Sequence, residues 1–272
     1  MEYQEIIKRL NELRKIGKFV PHDSMIKTKE QIEGIIEASR INTLVLDEVE
    51  KNIKAGMTTL EIDNIVKNKT VELGGTCPCF GFEGFPMNCC TSINDLACHG
   101  IPDSSVYLED GDIINVDCTT EYKGYIGDAS RMFSIGEISD EAHRLIEVTK
   151  YALDESVKAI IPWKSTLDDI GYIINKIAKR NKFSVVREIG GHGVGLELHE
   201  EPFVSHYGKK GEGMLIVPGM IFTIEPLISA GSRKVFIDES DGWGIYTVDG
   251  SLTAQVEYTI LITEDGAKIL SR

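Results

Sequence analysis

The sequence predicts an α+β domain made of two related halves, and two observations carry that expectation. Leu46, Asp47, Glu48, Lys51, Thr59 and Leu60 recur as Leu153, Asp154, Glu155, Lys158, Thr166 and Leu167, each 107 positions further on. In each half, two helix-patterned segments are followed by strand-like runs, the order expected of a duplicated unit packed as one domain. A chain of 272 residues, 42% hydrophobic and 26% charged, can bury a sizeable core, which excludes disordered, collagen-like and coiled-coil classes.

Residues 1–18 place Ile6, Ile7, Leu10, Leu13 and Ile16 at helical spacing, and Gly17 and Pro21 end the pattern. Between Lys8 and Lys18, five Lys or Arg stand against one Glu, so the outer face is locally basic while the apolar stripe docks onto the chain's own body. Further helices are predicted over residues 28–55 and from Thr58 or Thr59 to Leu73, where Gly74-Gly75 stops the pattern, with a Ser/Thr cap opening the second helix of each half. Residues 112–118 run into Tyr122-Lys123-Gly124 and return over 125–133 as a β-hairpin. Val217-Pro218-Gly219 turns into a strand over 220–225 that Pro226 stops. Residues 244–248 and 252–263 flank Asp249-Gly250, a strong two-residue hairpin signal.

Forty-three acidic against 29 basic residues leave a net charge of -14, which repels polyphosphate backbones and makes nucleic acid a poor ligand. No stretch reaches the ~18 apolar residues of a membrane span, and the charged N-terminus lacks an apolar signal core, so the chain reads as cytoplasmic. Cys77, Cys79, Cys89, Cys90, Cys98 and Cys118 crowd into one stretch, with neither a disulfide framework nor the paired spacing of a zinc knot. Buried thiols lining a core or pocket are the expected use.

A hairpin centred between Tyr122 and Lys123 sets Asp117 opposite Asp128, Cβ atoms ~5 Å apart. Two adjacent carboxylates repel unless a cation or a shared proton intervenes, and the apolar Ile113, Ile114, Val116 and Ile126 around them favour a cation site over a solvent-facing pair. His192 lies among four glycines of residues 190–195, with His199 seven positions later. Glu225 and Glu257 interrupt apolar strand runs, where an unpaired carboxylate is costly. Two Asp, two Glu and one His suit two divalent cations about 3.5–4 Å apart better than one zinc.

Taken in order, Cys98-His99-Gly100-Ile101-Pro102, Asn115-Val116-Asp117, Gly127-Asp128, Gly191-His192-Gly193-Val194-Gly195 with His199-Glu200-Glu201-Pro202, residues 218–226 around Phe222-Thr223-Ile224-Glu225-Pro226, and Ala254-Gln255-Val256-Glu257 resemble the type I methionine aminopeptidases. The resemblance runs from about Thr28 to the C-terminus. It implies the pita-bread fold, two pseudo-symmetric halves around a central antiparallel sheet, with residues 1–27 as a helical extension and 28–272 as one metallopeptidase domain. It implies that Asp117, Asp128, His192, Glu225 and Glu257 hold two divalent ions of Fe, Mn, Co or Zn, with Asp128 and Glu257 bridging, Asp117 on one ion, and His192 and Glu225 on the other. His99 and His199 match histidines that contact substrate at the scissile peptide, and Glu225 handles the proton of a metal-activated water.

The same resemblance implies a methionine pocket of Cys79, Phe82, Phe85, Cys90, Leu198 and Trp243, in which polarizable sulfur beside aromatic rings suits a thioether. Phe82 and Phe85 stand where many members carry tyrosines, Leu198 where Phe or Met is commoner, and Ile189 where an aromatic is usual, so pocket shape and polarity depart from the pattern while the ligand set does not. The implied activity is removal of the initiator methionine from nascent polypeptide N-termini, favouring a small second residue, by a monomer in transient contact with the ribosome and with no membrane or specific nucleic-acid partner. A proline-specific peptidase of the same fold would carry a large extra N-terminal domain, and a non-catalytic relative would have lost metal ligands.

Overall fold

The computed structural model describes residues 2–272; Met1, at the head of the first helical stretch, lies outside them. Helix α1 (Tyr3–Lys15) docks on the body as expected: Ile6 and Leu10 enter the main core, and the Arg9 guanidinium lies 4.0 Å from the centroid of the Trp163 ring. Ile16, read as part of the apolar stripe, is instead 71% exposed, because the helix stops one residue before it and the chain turns off at Gly17.

The first half opens with α2 (Lys29–Asn52) and α3 (Thr59–Glu72), each started by a threonine capping box, Thr28 with Gln31 and Thr58 with Glu61. Short strands β1 (Cys90–Ile93) and β2 (Leu96–Cys98) lead to the long hairpin β3 (Ile113–Tyr122) and β4 (Tyr125–Ser134). The hairpin turn is Lys123-Gly124, both left-handed at φ 52° and 80°, the two-residue geometry that matches strand twist and that Gly124 adopts without strain. Its register is two residues off the expected one. Asp117 pairs with Ser130, and Asp128 pairs with Thr119, so the aspartates are diagonal neighbours on one face rather than directly opposed.

The second half repeats the helix pair as α4 (Asp140–Lys158) and α5 (Leu167–Arg180), capped by Ser139 and Thr166. The duplication is visible in the hydrogen bonds. An isolated bridge joins Thr58 to Tyr107 and another joins Thr166 to Leu215; the Thr59 N–H reaches Val106 O at 3.0 Å and the Leu167 N–H reaches Met214 O at 2.9 Å. These equivalents are 108 residues apart, whereas the Glu48–Lys51 and Glu155–Lys158 ion pairs on the first helices are 107 apart. A one-residue slip between the helices therefore separates them. The structural counterpart of Thr166 is Thr58, not the Thr59 that the sequence match selected.

The strands that follow are β5 (Ser184–Val185), β6 (Gly191–Gly193), β7 (Glu200–Val204), β8 (Ile221–Ile224), β9 (Leu227–Ser229), β10 (Val235–Ile237), β11 (Ile245–Thr247), β12 (Thr253–Gln255), β13 (Tyr258–Ile262) and β14 (Ala267–Ser271). All strand pairings among the described residues are antiparallel, in a five-stranded sheet of order β14-β13-β8-β6-β7 and three-stranded sheets β1-β3-β4, β10-β11-β2 and β12-β9-β5. The hairpin expected at Asp249-Gly250 is absent. β11 already has β10 on one edge and β2 on the other, so the chain beyond the turn pairs with β9 in a different sheet. The strand expected over 252–263 breaks at Val256-Glu257, which frees Glu257 from the ladder.

Helix α2 lies directly against β4. A Cβ at Gly127 would sit 2.4 Å from Ser39 Cα, so only glycine allows the approach. The halves are stitched where β4 meets the second half: the Thr259 hydroxyl donates to Asp128 O at 2.7 Å, and the Glu257 N–H donates to Ser130 O at 3.1 Å. No helix among the described residues is long and apolar enough to cross a membrane.

Candidate active site

All thirteen residues singled out from the sequence line a single cavity of about 400 Å³. Its floor is the seam between the halves. Asp117 and Asp128 point from β3 and β4 of the first half; His192 on β6, Glu225 at the end of β8, and Glu257 between β12 and β13 come from the second. Asp128, His192 and Glu257 each offer a ligand atom within 4.8 Å of the others. His192 Nε2 is 3.7 Å from Asp128 Oδ2 and 3.6 Å from Glu225 Oε1.

Hydrogen bonds fix each group. The Thr119 hydroxyl donates to Asp128 Oδ1 at 2.9 Å. The Thr223 hydroxyl accepts the His192 N–H at 3.0 Å and donates to Glu225 Oε1 at 2.8 Å, while Gln255 Nε2 donates to Glu225 Oε2 at 3.1 Å. The Glu225 N–H, beyond the end of its strand, donates to Nε2 of the fully buried His206 at 3.1 Å. Thr119, Thr223, His206 and Gln255 were not read from the sequence as site residues. Threonines inside strands and a solitary histidine carry no spacing signal, although Thr223 and Gln255 lie two residues from glutamates that were read, on the same face of an extended chain.

Electrostatically the floor is one-sided. Burial pushes the Asp117, Glu225 and Glu257 carboxyls well above the usual carboxylate range, and the charges of their acidic neighbours push the same way. Burial also raises Asp128, to about 6, against the opposing hydrogen bond from Thr119. Among the described residues, no lysine or arginine lines the cavity. His192 Nδ1 lies 3.0 Å from Gly193 O, so a neutral ring that donates there turns the lone pair of Nε2 toward the two carboxylates. An acceptor facing ionised acceptors needs a cation or a shared proton between them, and the donor set of four carboxyls and one imidazole fits divalent ions.

Above the floor, burial raises the Cys79 thiol to about 12 and Cys90 well above its ordinary value, so in the metal-free protein both are neutral, weakly polar lining. Cys77, Cys89 and Cys118 belong to the core around α2, α3 and β3. Phe82 meets His199 edge-on with ring centroids 5.1 Å apart; Phe85 meets Trp243 in the same way at 5.1 Å, and His99 lies 6.3 Å from Trp243. His99 holds a left-handed backbone at φ 57°. The neighbouring Asn94 amide is committed to Asp112 and to the Ile113 N–H, so it does not brace the His99 ring. Burial lowers the pKa of His99, His192 and His199, leaving neutral imidazoles at neutral pH. Ile189, noted above as a departure from the family pattern, also lines the cavity, as do Phe203, Glu83 and Glu188, which were not read from the sequence.

Residues 33–264 match the model of metallopeptidase family M24. Methionine aminopeptidase of Salmonella typhimurium is 43% identical over 247 residues, covering 90% of this chain and 93% of its own. The crystal structure of methionine aminopeptidase from Rickettsia prowazekii superposes with a TM-score of 0.88 at 36% identity, covering 91% of this chain and 99% of that one. Prolidase from Pyrococcus furiosus superposes at 0.72 with 27% identity, and the match covers 91% of this chain but only 65% of the prolidase. With the carboxylate-and-histidine floor in place across both halves, the chain belongs to metallopeptidase family M24, among its methionine aminopeptidases.

Proposed function

We propose that the cavity hydrolyses the first peptide bond of polypeptides that begin with methionine, using water activated by two divalent ions and favouring a small second residue. The observation that carries this reading is the cavity's division into an anionic floor and a thiol- and ring-lined wall. Asp117, Asp128, His192, Glu225 and Glu257 would hold the ions. Bound there, divalent ions supply the positive charge that polarises a carbonyl and makes water acidic.

The remaining steps fall to the chain's own groups. Cys79, Phe82, Phe85, Cys90, Leu198 and Trp243 take the methionine side chain by burial and by sulfur–ring contact. Neutral His99 and His199 stand above the floor as donors toward the oxygen on which charge develops at the scissile peptide. Glu225 is oriented by Thr223 and Gln255. In this reading it takes a proton from water and returns it to the leaving amine.

A dipeptidase must also bind the free carboxylate of its substrate, and among the described residues no lysine or arginine lines the cavity for that purpose. All six thiols are free, which fits work in the reducing cytoplasm. The test is hydrolysis of Met-Ala-Ser, Met-Lys-Ser and Ala-Pro peptides by protein loaded in turn with Fe(II), Mn(II), Co(II) and Zn(II). Met-Ala-Ser alone should be cut efficiently. Comparable kcat/KM for Met-Lys-Ser would overturn the small-residue preference, and faster cleavage of Ala-Pro would overturn the methionine reading.

A further inference from the structure

Lys27 is buried, with its side chain 2% exposed, and its ammonium meets Glu200 Oε2 in an ion pair whose carboxylate side chain is 14% exposed. A lysine charge taken out of water is costly unless it is paired, so the pair's location is informative. The other carboxylate oxygen, Glu200 Oε1, accepts two backbone N–H groups, Leu196 at 2.7 Å and Glu197 at 3.1 Å. Glu200 thus closes the turn that presents Leu198 and His199 to the cavity. The lysine end is anchored independently: the Lys27 N–H donates to Gly219 O at 2.9 Å, and Ile26 bridges Met220 at the entrance to β8.

Among the described residues, no hydrogen bond holds the His199 ring. Edge contacts with His192, at 4.3 Å between centroids, and with Phe82 are its restraints within the cavity. Its position therefore follows from the turn beneath it. We propose that Lys27 is a positioning residue for His199, acting through Glu200 by clamping the turn at 195–200 against the strand that carries Glu225. This rests on the reading that His199 touches substrate. The segment before α2 would then be part of the catalytic apparatus although it reaches no reacting atom.

The test is a double-variant cycle on the full-length, metal-loaded protein with Met-Ala-Ser as substrate. His199→Ala alone examines the underlying reading, with an expected kcat loss on the order of 10²-fold. Lys27→Met removes the charge at similar volume, and displacement of the turn should lower kcat by ~10-fold or more with little change in KM, since small misplacements of a positioned group are expensive. Metal stoichiometry should not change. In metal-free protein the His199 imidazole resonance should broaden in Lys27→Met.

The decisive result is non-additivity: in the His199→Ala background, Lys27→Met should cost less than about twofold further, because both changes remove one function. Losses that multiply, or a Lys27→Met kcat equal to wild type, would overturn the proposal while leaving the His199 reading intact. An unimpaired His199→Ala would instead remove His199 from the site. If Lys27→Met does not fold, Lys27→Met/Glu200→Gln, which removes both charges, takes its place in the cycle. Failure of that variant to fold would assign the pair to stability alone and overturn the proposal.

Discussion

Stripping the metals should reverse the way this protein responds to pH. In the unfolded chain Asp128 ionises around its ordinary 3.8, whereas in the folded metal-free protein burial holds its proton to about 6. Between those values the folded state binds more protons than the unfolded state, so stability must fall as pH rises. The contribution is fully present below pH 3.8 and is lost as pH passes through about 6. A displacement of that size corresponds to ~3 kcal/mol from Asp128 alone. At roughly 2–4 °C per kcal/mol for a domain of this length, the melting temperature should drop on the order of 10 °C. Asp117, Glu225 and Glu257 are displaced in the same direction and deepen the drop.

The metal-loaded protein should show the opposite trend, because the ions bind ionised carboxylates and protons compete with them. The assay is differential scanning calorimetry from pH 4 to 7.5 on chelator-treated protein, on the same sample reloaded with Mn(II), and on chelator-treated Asp128→Asn. The asparagine variant cannot ionise, so its chelated form should be less pH-dependent than wild type by the Asp128 share. A chelated wild type whose melting temperature rises over this range, or parallels Asp128→Asn, would refute the account of the floor as buried carboxyls that hold their protons in the metal-free protein.

The other expectations concern single residues. Asp128→Ala should abolish activity and weaken both ions in calorimetry, whereas Asp117→Ala should weaken one ion more than the other; equal losses in both variants would contradict the assignment of Asp128 as the shared ligand. His99→Ala should lower kcat ~10²–10³-fold with KM and metal content little changed; near-normal kcat with a reduced melting temperature would make it a loop brace instead. Gly127→Ala should cost on the order of 1–3 kcal/mol in chemical denaturation, because the added methyl meets the backbone of α2 at Ser39; an unchanged midpoint would mean that α2 and β4 separate freely.

The α+β class and the floor residues Asp117, Asp128, His192, Glu225 and Glu257 were legible because their signals are local: threonine caps, helical spacing, and acidic or histidine residues set among glycines and apolar strands; His99 and the wall residues were named only through the resemblance to the methionine aminopeptidases. Register was not, because it turns on a single residue. Placing the β3–β4 turn between Tyr122 and Lys123 opposed Asp117 to Asp128, whereas the left-handed pair Lys123-Gly124 shifts the pairing by two residues. Gly124 was the available clue, since the second turn position requires positive φ. Because the shift is an even number, both aspartates stay on the face that was inferred. Asp249-Gly250 failed for a non-local reason, both edges of β11 being occupied. Lys27 was invisible because its partner lies 173 residues away.

The two halves also show why the repeat is readable in helices and erased in strands. What persists between them is scaffold: the threonine caps at Thr58 and Thr166, the ion pairs at Glu48–Lys51 and Glu155–Lys158, and the fully buried Leu46 and Leu153. The proposed ligand set is unequally divided, two aspartates from the first half and a histidine with two glutamates from the second. Neither half alone can assemble the group formed by Asp128, His192 and Glu257, and the seam is closed by the bonds of Thr259 and Glu257 to the Asp128 and Ser130 carbonyls. Identity between the halves would therefore work against the site, since strand positions that must supply different ligands cannot retain the same residues. Ions bound across that seam, as proposed, would draw the halves together, which would couple metal affinity to global stability and make the calorimetric reversal with pH a property of the whole fold.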